Sequence, residues 1–270
     1  MISEVTTPDG LRLACQVSGS GPPLVMVHGA GSARWGFDLL RPHLEHRFTL
    51  VAPDRRGRGD SADGDGYALE REIEDLGAVL REFGPEPLLF GHSYGGLIAA
   101  AAATRADGLS GLVLYEPPMG GVLGTPEWVE GIEALVAAGD RERALRDFLH
   151  DIGGYSDAEI DAMRGTPVWE ARVAIVPTIV RELRAEHAYR LPAEALVGLE
   201  LPTLMLVGSE SPEWARRSTA AHAAAIPGAA VVTLEGQGHG ANSAAPELVA
   251  AELLRFLDPL SGPGPARSGG

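Results

Sequence analysis

Residues 87–104 read PLLFGHSYGGLIAAAAAT. A short apolar run, Leu88-Leu89-Phe90, passes into a small-residue helical run through Gly91-His92-Ser93-Tyr94-Gly95, a G-x-S-x-G pentapeptide. That pattern has a physical basis. A sharp strand-to-helix turn forces the central serine into a strained backbone conformation, and only small residues two before and two after it avoid a clash. The context on both sides fits, so Ser93 is read as a nucleophile. The same turn aims the backbone N–H of Tyr94 at the space above Ser93, beside a helix N-terminus that favours developing negative charge.

Upstream, LVMVHGAGS (residues 24–32) is a strand ending at His28, followed by Gly29-Ala30-Gly31. The glycines leave backbone N–H groups unobstructed, so the Ala30 N–H can join that of Tyr94 over one oxygen, with Gly29 and Gly31 beside the substrate. His28 is assigned to holding this loop and has no catalytic role. Downstream, LEGQGHGANSAAPEL (residues 234–248) places His239 between glycines, after a strand and before a helix. A serine is a weak nucleophile at its own pKa and needs a histidine within hydrogen-bond reach to take its proton. Among the eight histidines, only His239 combines a post-strand position, flexible neighbours and late placement. His43, His46, His150, His187 and His222 lie in helix-like polar stretches and are read as surface residues. His92 is read as an inward-facing neighbour of the elbow.

Further out, β-type runs (LRLACQVS, LVMVH, FTLVAP, PLLFGH, GLVLY, TLMLVG, AVVTLE) alternate with helix-length segments. Such alternation means βαβ crossovers and a mainly parallel sheet covered on both faces. The first pair of strands, around Asp9-Gly10, reads as an antiparallel hairpin at one edge. The alternation breaks between about residues 119 and 199, where four helical segments are expected to form a lid with no core of its own. Ser156 with Glu159 has capping-box spacing, and Thr125-Pro126 offers a cap followed by proline at the first helical position. Trp128, Tyr155, Trp169 and Tyr189, with Met119 and Met163, are candidate pocket walls in this lid. The expected organisation is a core over residues 1–118 and 200–258, a helical cap over 119–199, and a Gly/Pro/Ser-rich disordered tail over 259–270.

Bulk composition removes several function classes. At 270 residues, 45% hydrophobic and 22% charged, the chain is an ordinary globule able to bury a core. A net charge of -15 opposes phosphate binding, so nucleic acid is not an expected partner. Lysine is absent, which removes Schiff-base and P-loop lysine chemistry. The single cysteine, Cys15, forms no internal disulfide or Cys-based zinc site and is read as a core thiol in an early strand. No signal-peptide pattern opens the sequence, and no apolar run reaches the roughly 18 residues that span a bilayer. No membrane association is expected, and the simplest localisation is cytoplasmic.

Taken together, HGAG (28–31), PDRRGRGDS (53–61), GHSYGG (91–96) and GQGH (236–239) resemble, in order and spacing, the α/β-hydrolase superfamily over about residues 5–257. The resemblance implies an eight-stranded, mostly parallel sheet flanked by helices, with a helical cap inserted after the sixth strand. It also implies a Ser, His and acid triad in a crevice at the carboxyl ends of the strands, and a structural role for the DRRGRGDS loop. In the familiar pattern the acid stands three residues beyond a glycine after the next-to-last strand. Here Ser211 occupies that place after Gly208 and cannot carry charge. Glu210 could substitute through a shifted turn.

The other candidate is Glu116, in GLVLYEPP (111–118), one helix and one strand after Ser93. In a parallel sheet that strand delivers its C-terminal residue to the same rim, and some superfamily members, the zearalenone-type lactonases among them, take their acid from it. A glutamate there can bond Nδ1–H of His239 and stabilise the imidazolium. The expected activity is serine-dependent hydrolysis of a carboxylic ester, more specifically a lactone, as a small-molecule substrate, with no metal or organic cofactor. Thioesterase, perhydrolase, carbon–carbon hydrolase, cyclase and simple binding functions remain open on the same scaffold. Ser rather than Asp at position 93 argues against epoxide hydrolase and dehalogenase chemistry. Oligomeric state is not legible.

Overall fold

The computed structural model describes residues 1–260. Eight strands form one sheet: β1 (Ile2–Thr6), β2 (Arg12–Gly19), β3 (Pro23–Val27), β4 (Thr49–Pro53), β5 (Leu88–His92), β6 (Gly111–Tyr115), β7 (Thr203–Gly208) and β8 (Ala230–Leu234). Their spatial order is β1-β2-β4-β3-β5-β6-β7-β8. β1 pairs antiparallel with β2, and β2 with β4; every other pairing is parallel. Strand order reverses at β3, which pairs with β4 on one side and β5 on the other, and open α/β sheets place their ligand crevice at such a switch.

The central strands are apolar throughout because both of their faces are covered. Alternate residues face opposite layers. Val25, Val27, Leu89, Leu112 and Leu114 join one hydrophobic cluster with α1 (Leu69–Glu82) and α2 (Tyr94–Ala103). Leu24, Met26, Leu88, Phe90 and Val113 join the other, on the opposite face. Five alanines in a row, Ala99–Ala103, let α2 lie against the strands with no protruding side chain. A Cβ at Gly91 would come within 2.6 Å of the Ala99 Cβ, so this approach requires glycine.

Five helices, rather than the four expected, lie between β6 and β7: α3 (Pro126–Ala137), α4 (Arg141–Asp151), α5 (Asp157–Met163), α6 (Pro167–Ala188) and α7 (Ala193–Val197). The long segment expected as one helix is divided by Gly139, at φ +82, and by Asp140, whose side chain accepts the Arg143 N–H and starts α4. Ser156 and Glu159 form a complete capping box on α5. Ile132, Leu145, Phe148, Trp169 and Ile179 from these helices belong to the same cluster as α1 and α2.

After β7 come α8 (Glu213–Ala225), then β8, a short α9 (Ala241–Ala244) and α10 (Pro246–Leu257), whose Val249, Leu253 and Leu257 complete the second face. Folded structure continues beyond residue 258. Asp258–Leu260 form a 3-10 turn, and Leu260 packs so closely on Gly111 that a Cβ there would lie 2.8 Å from it. The rest of the expected tail, residues 261–270, lies outside the described residues. Among those described, no helix is long and apolar enough to cross a membrane.

Candidate active site

Ser93 stands between β5 and α2 with φ 55° and ψ −127°. Its N–H donates to the Tyr115 carbonyl at 2.8 Å, and its own carbonyl accepts from Gly96 at 2.7 Å and Leu97 at 3.1 Å. These bonds hold a conformation that costs about 1–3 kcal/mol in a non-glycine residue. A Cβ at Gly95 would meet the carbonyl oxygens of His28 and Val27 at 2.4 Å. Among the described residues, one other non-glycine residue has positive φ: Glu116, at φ 49°.

Glu116 follows β6 directly and is fully buried. Its Oε1 accepts the Gly208 N–H at 2.7 Å, and its Oε2 is hydrogen-bonded to Nδ1 of His239. The neighbouring candidate, Glu210, is exposed and takes no part in this pair; its backbone N–H donates to the Gln237 carbonyl. Ser211 is buried beside Gly208, and its Oγ has no hydrogen-bond partner.

His239 is seated on three sides. His92 Nε2 bonds its carbonyl at 2.9 Å, the Tyr115 hydroxyl bonds the preceding Gly238 carbonyl, and the Trp214 ring lies edge-on with centroids 5.2 Å apart. Burial pushes His92 well below the ordinary imidazole range, with His239 adding to the effect. His92 is therefore a neutral donor that positions the His239 loop. Ser93 and His239 both line one cavity, together with Ala30, Gly31 and Tyr155.

Gly29 passes so close to the elbow that a Cβ on it would lie 2.9 Å from the Ser93 Cβ. Neither the Ala30 N–H nor the Tyr94 N–H has a partner among the described residues. Two amides without partners beside one serine leave donors available to an anion. The loop carrying Ala30 is tied from below. His28 Nε2 accepts the Arg55 N–H at 3.3 Å, and the Arg55 guanidinium donates to the carbonyls of His28 and Gly29. Burial, then the Arg55 charge, holds His28 neutral. Arg55 and Arg58 share Glu182 of α6, and Arg56 pairs with Asp75, so these arginines are occupied by carboxylates inside the fold.

Of the expected pocket walls, only Tyr155 lines the cavity. Trp169 is buried among the helices, with the Arg164 guanidinium over its ring. The Trp128 indole N–H is bound to Asp151, and the Tyr189 hydroxyl faces Arg105. Met119 and Met163 are also away from it. Phe148, Arg172 and Asn242 are among the wall residues that the sequence did not single out. The cavity measures about 60 Å³, well below the ~300–1,000 Å³ of sites for drug-sized ligands.

Two further placements differ from expectation. His222 is fully buried in α8 rather than on the surface, with Nδ1 bonded to the Ser218 carbonyl. His187 is half-buried against the carbonyls of Leu123 and Gly124. No group of three or more His, Cys, Asp or Glu that could hold a metal ion occurs among the described residues.

A strand-end serine, a histidine with its carboxylate and two free amides, all at the carboxyl rim of a parallel sheet, define a class of enzyme. A model of the alpha/beta hydrolase family matches residues 24–252, and the chain belongs to that family. It is 26% identical to 2-(acetamidomethylene)succinate hydrolase of Mesorhizobium japonicum over 265 residues, covering 92% of each chain. Its fold matches the crystal structure of an alpha/beta hydrolase from Sphaerobacter thermophilus with TM-score 0.82 and 34% identity, over 94% of this chain and 100% of that one. It also matches an esterase from Thermogutta terrifontis with TM-score 0.74 and 25% identity, over 97% and 100% of the two chains. The protein is accordingly a hydrolase of this family.

Proposed function

We propose that the protein is a serine hydrolase of small carboxylic esters or lactones. The observation that carries this reading is the Glu116–His239 pair at the cavity that Ser93 also lines. Ser93 Oγ attacks the carbonyl carbon while His239 Nε2 takes its proton. The carbonyl oxygen, now an anion, sits between the N–H groups of Ala30 and Tyr94. The carbon–oxygen bond to the leaving group then breaks, and His239 returns the proton to the departing alkoxide. Water, deprotonated by His239, attacks the acyl-Ser93 ester and frees the acid. Glu116 keeps the imidazole in the tautomer with its proton on Nδ1 and stabilises the imidazolium. Two of the five helices between β6 and β7 contribute to the cavity wall, α4 through Phe148 and Leu149 and α6 through Arg172. The lactone alternative rests on the resemblance to zearalenone-type lactonases, which place their acid after the same strand.

The acetamido group in the name of the Mesorhizobium japonicum relative's substrate makes an N-acyl bond a second candidate for cleavage. A panel of aryl esters, lactones and N-acyl compounds, with Ser93→Ala as blank, tests both readings. Ser93-dependent turnover of an ester or lactone is the expected result. Turnover of N-acyl compounds alone moves the reading to amide cleavage, and activity equal to the blank throughout refutes it.

A further inference from the structure

The chain carries 37 acidic against 22 basic residues, yet no carboxylate lines the cavity. Glu116 lies behind His239 and is sealed from it. One guanidinium does line it: Arg172, reaching in from α6. The other half-buried or buried arginines near the site are matched by acids. Arg34 has Asp54 and Asp60, Arg55 and Arg58 have Glu182, Arg56 has Asp75, and Arg181 has Asp63. Arg172 has no carboxylate partner among the described residues, and its Nε is buried with no hydrogen bond at all. A buried donor left unpaired is costly and calls for an explanation.

The surroundings of Arg172 suit it for a ligand. The rings of Trp35 and Tyr155 lie 5.6 and 6.0 Å from its guanidinium carbon. Aromatic contact restrains the guanidinium and leaves N–H donors of its fork for an acceptor of carboxylate geometry. Asn242, also on the cavity wall and buried, has an Oδ1 without a partner. The cavity thus offers one strong positive group and a second polar group in a small space.

We infer that the substrate is a short ester or lactone bearing a free carboxylate, and that Arg172 holds that carboxylate while Ser93 attacks the ester carbonyl. The inference rests on the reading of Ser93 as nucleophile, and it names the substrate class. A half-ester of a short dicarboxylic acid carries the charge that Arg172 lacks a partner for. A charge-assisted bond of this kind gives a preference of about tenfold to a hundredfold over an uncharged isostere.

The test compares monoethyl succinate with ethyl 4-methylpentanoate, in which an isopropyl group replaces the carboxylate. Ester cleavage is followed by ethanol release with wild type, Arg172→Gln and Arg172→Lys. Binding of both esters to Ser93→Ala, with and without Arg172→Gln, is measured by calorimetry. The expected result is a preference for monoethyl succinate in kcat/KM, expressed mainly in KM, that collapses in Arg172→Gln and is partly restored in Arg172→Lys. Arg172-dependent binding of monoethyl succinate without Ser93-dependent turnover would sink the hydrolytic reading and leave the carboxylate anchor standing. Equal binding of the two esters, a preference untouched by Arg172→Gln, or no binding of either would overturn the anchor itself.

Discussion

Glu116→Gln changes one charge and almost no volume, and the surrounding bonds dictate its consequence. The Gly208 N–H can only donate, at 2.7 Å to one carboxylate oxygen. In the variant the side-chain carbonyl must therefore face Gly208 and the NH₂ must face His239. Nδ1 of His239 then becomes an acceptor, and the imidazole proton moves to Nε2, the nitrogen that has to take the proton from Ser93. The reverse orientation sets two donors against each other in a sealed site, which costs about 1–3 kcal/mol for the unpaired group. The imidazolium also loses its counter-charge, about 4 kcal/mol for unit charges 4 Å apart at an effective dielectric of 20. That alone is close to a thousandfold at 1.36 kcal/mol per tenfold. In serine proteases, turning the triad acid into its amide costs about 10⁴ in kcat by the same switch of tautomer.

The expected outcome is therefore a fall in kcat of roughly 10³ to 10⁴, with KM changed by no more than a few-fold. The assay is steady-state hydrolysis of the best aryl ester, with circular dichroism and thermal unfolding to establish a native fold. A folded Glu116→Gln protein that loses less than about tenfold would refute the tautomer argument. A larger loss in Glu210→Gln would move the acid to Glu210, despite its exposed position.

Gly95→Ala pushes a Cβ to 2.4 Å from two backbone oxygens at the end of β3, and should cost about 3 kcal/mol or more in urea unfolding; a variant of wild-type stability contradicts the close-approach reading. Burial pushes the Cys15 thiol up to about 12, so thiol reagents should label it slowly in the native protein and rapidly in denaturant; equal rates would place it at the surface. Burial lowers His222 from 6.5 to about 4, so the unfolded chain takes up the proton first as pH falls. Its contribution to stability is full above pH ~6.5 and is lost towards pH ~4, on the order of 3 kcal/mol in all. Denaturation curves for His222→Gln should depend less steeply on pH across that window, and parallel wild-type and variant profiles would rule this out.

Local chemistry was legible wherever a short segment contains its own constraint. The Ser93 elbow needs only Gly91, Gly95 and the flanking runs, all within one strand-turn-helix unit. The parallel direction of β5 and β6, which brings Glu116 to the same rim as Ser93, followed from the alternation of elements. What escaped was direction. Trp128, Tyr155, Trp169 and Tyr189 look alike in sequence, and which of them faces the cavity depends on how the helices pack. Arg172 gave no signal for the same reason. His222 shares a buried face with Ala215, Ser218 and Thr219, a helical spacing present in the sequence. That face is small and polar rather than apolar, so periodicity of hydrophobic residues did not mark it. The division of α3 from α4 hung on two adjacent residues, left-handed Gly139 and the Asp140 cap.

The proposed position of the acid agrees with what surrounds Gly208. Its N–H bonds Glu116, and Ser211 is packed against its Cα. A carboxylate at position 211 would enter the space beside Glu116, and two buried carboxylates that close cannot both stay ionised. The two positions are therefore alternatives, and an uncharged, unbonded Ser211 is compatible with the proposed acid at Glu116. The backbone bears the same mark. The two non-glycine residues with positive φ directly follow adjacent parallel strands, β5 and β6, and they are the residues proposed as nucleophile and as triad acid. Each such residue costs about 1–3 kcal/mol, and neither is needed to close the sheet. Strain confined to those two positions fits the proposed chemistry at the rim, since packing elsewhere in the described chain is achieved with glycine wherever φ turns positive.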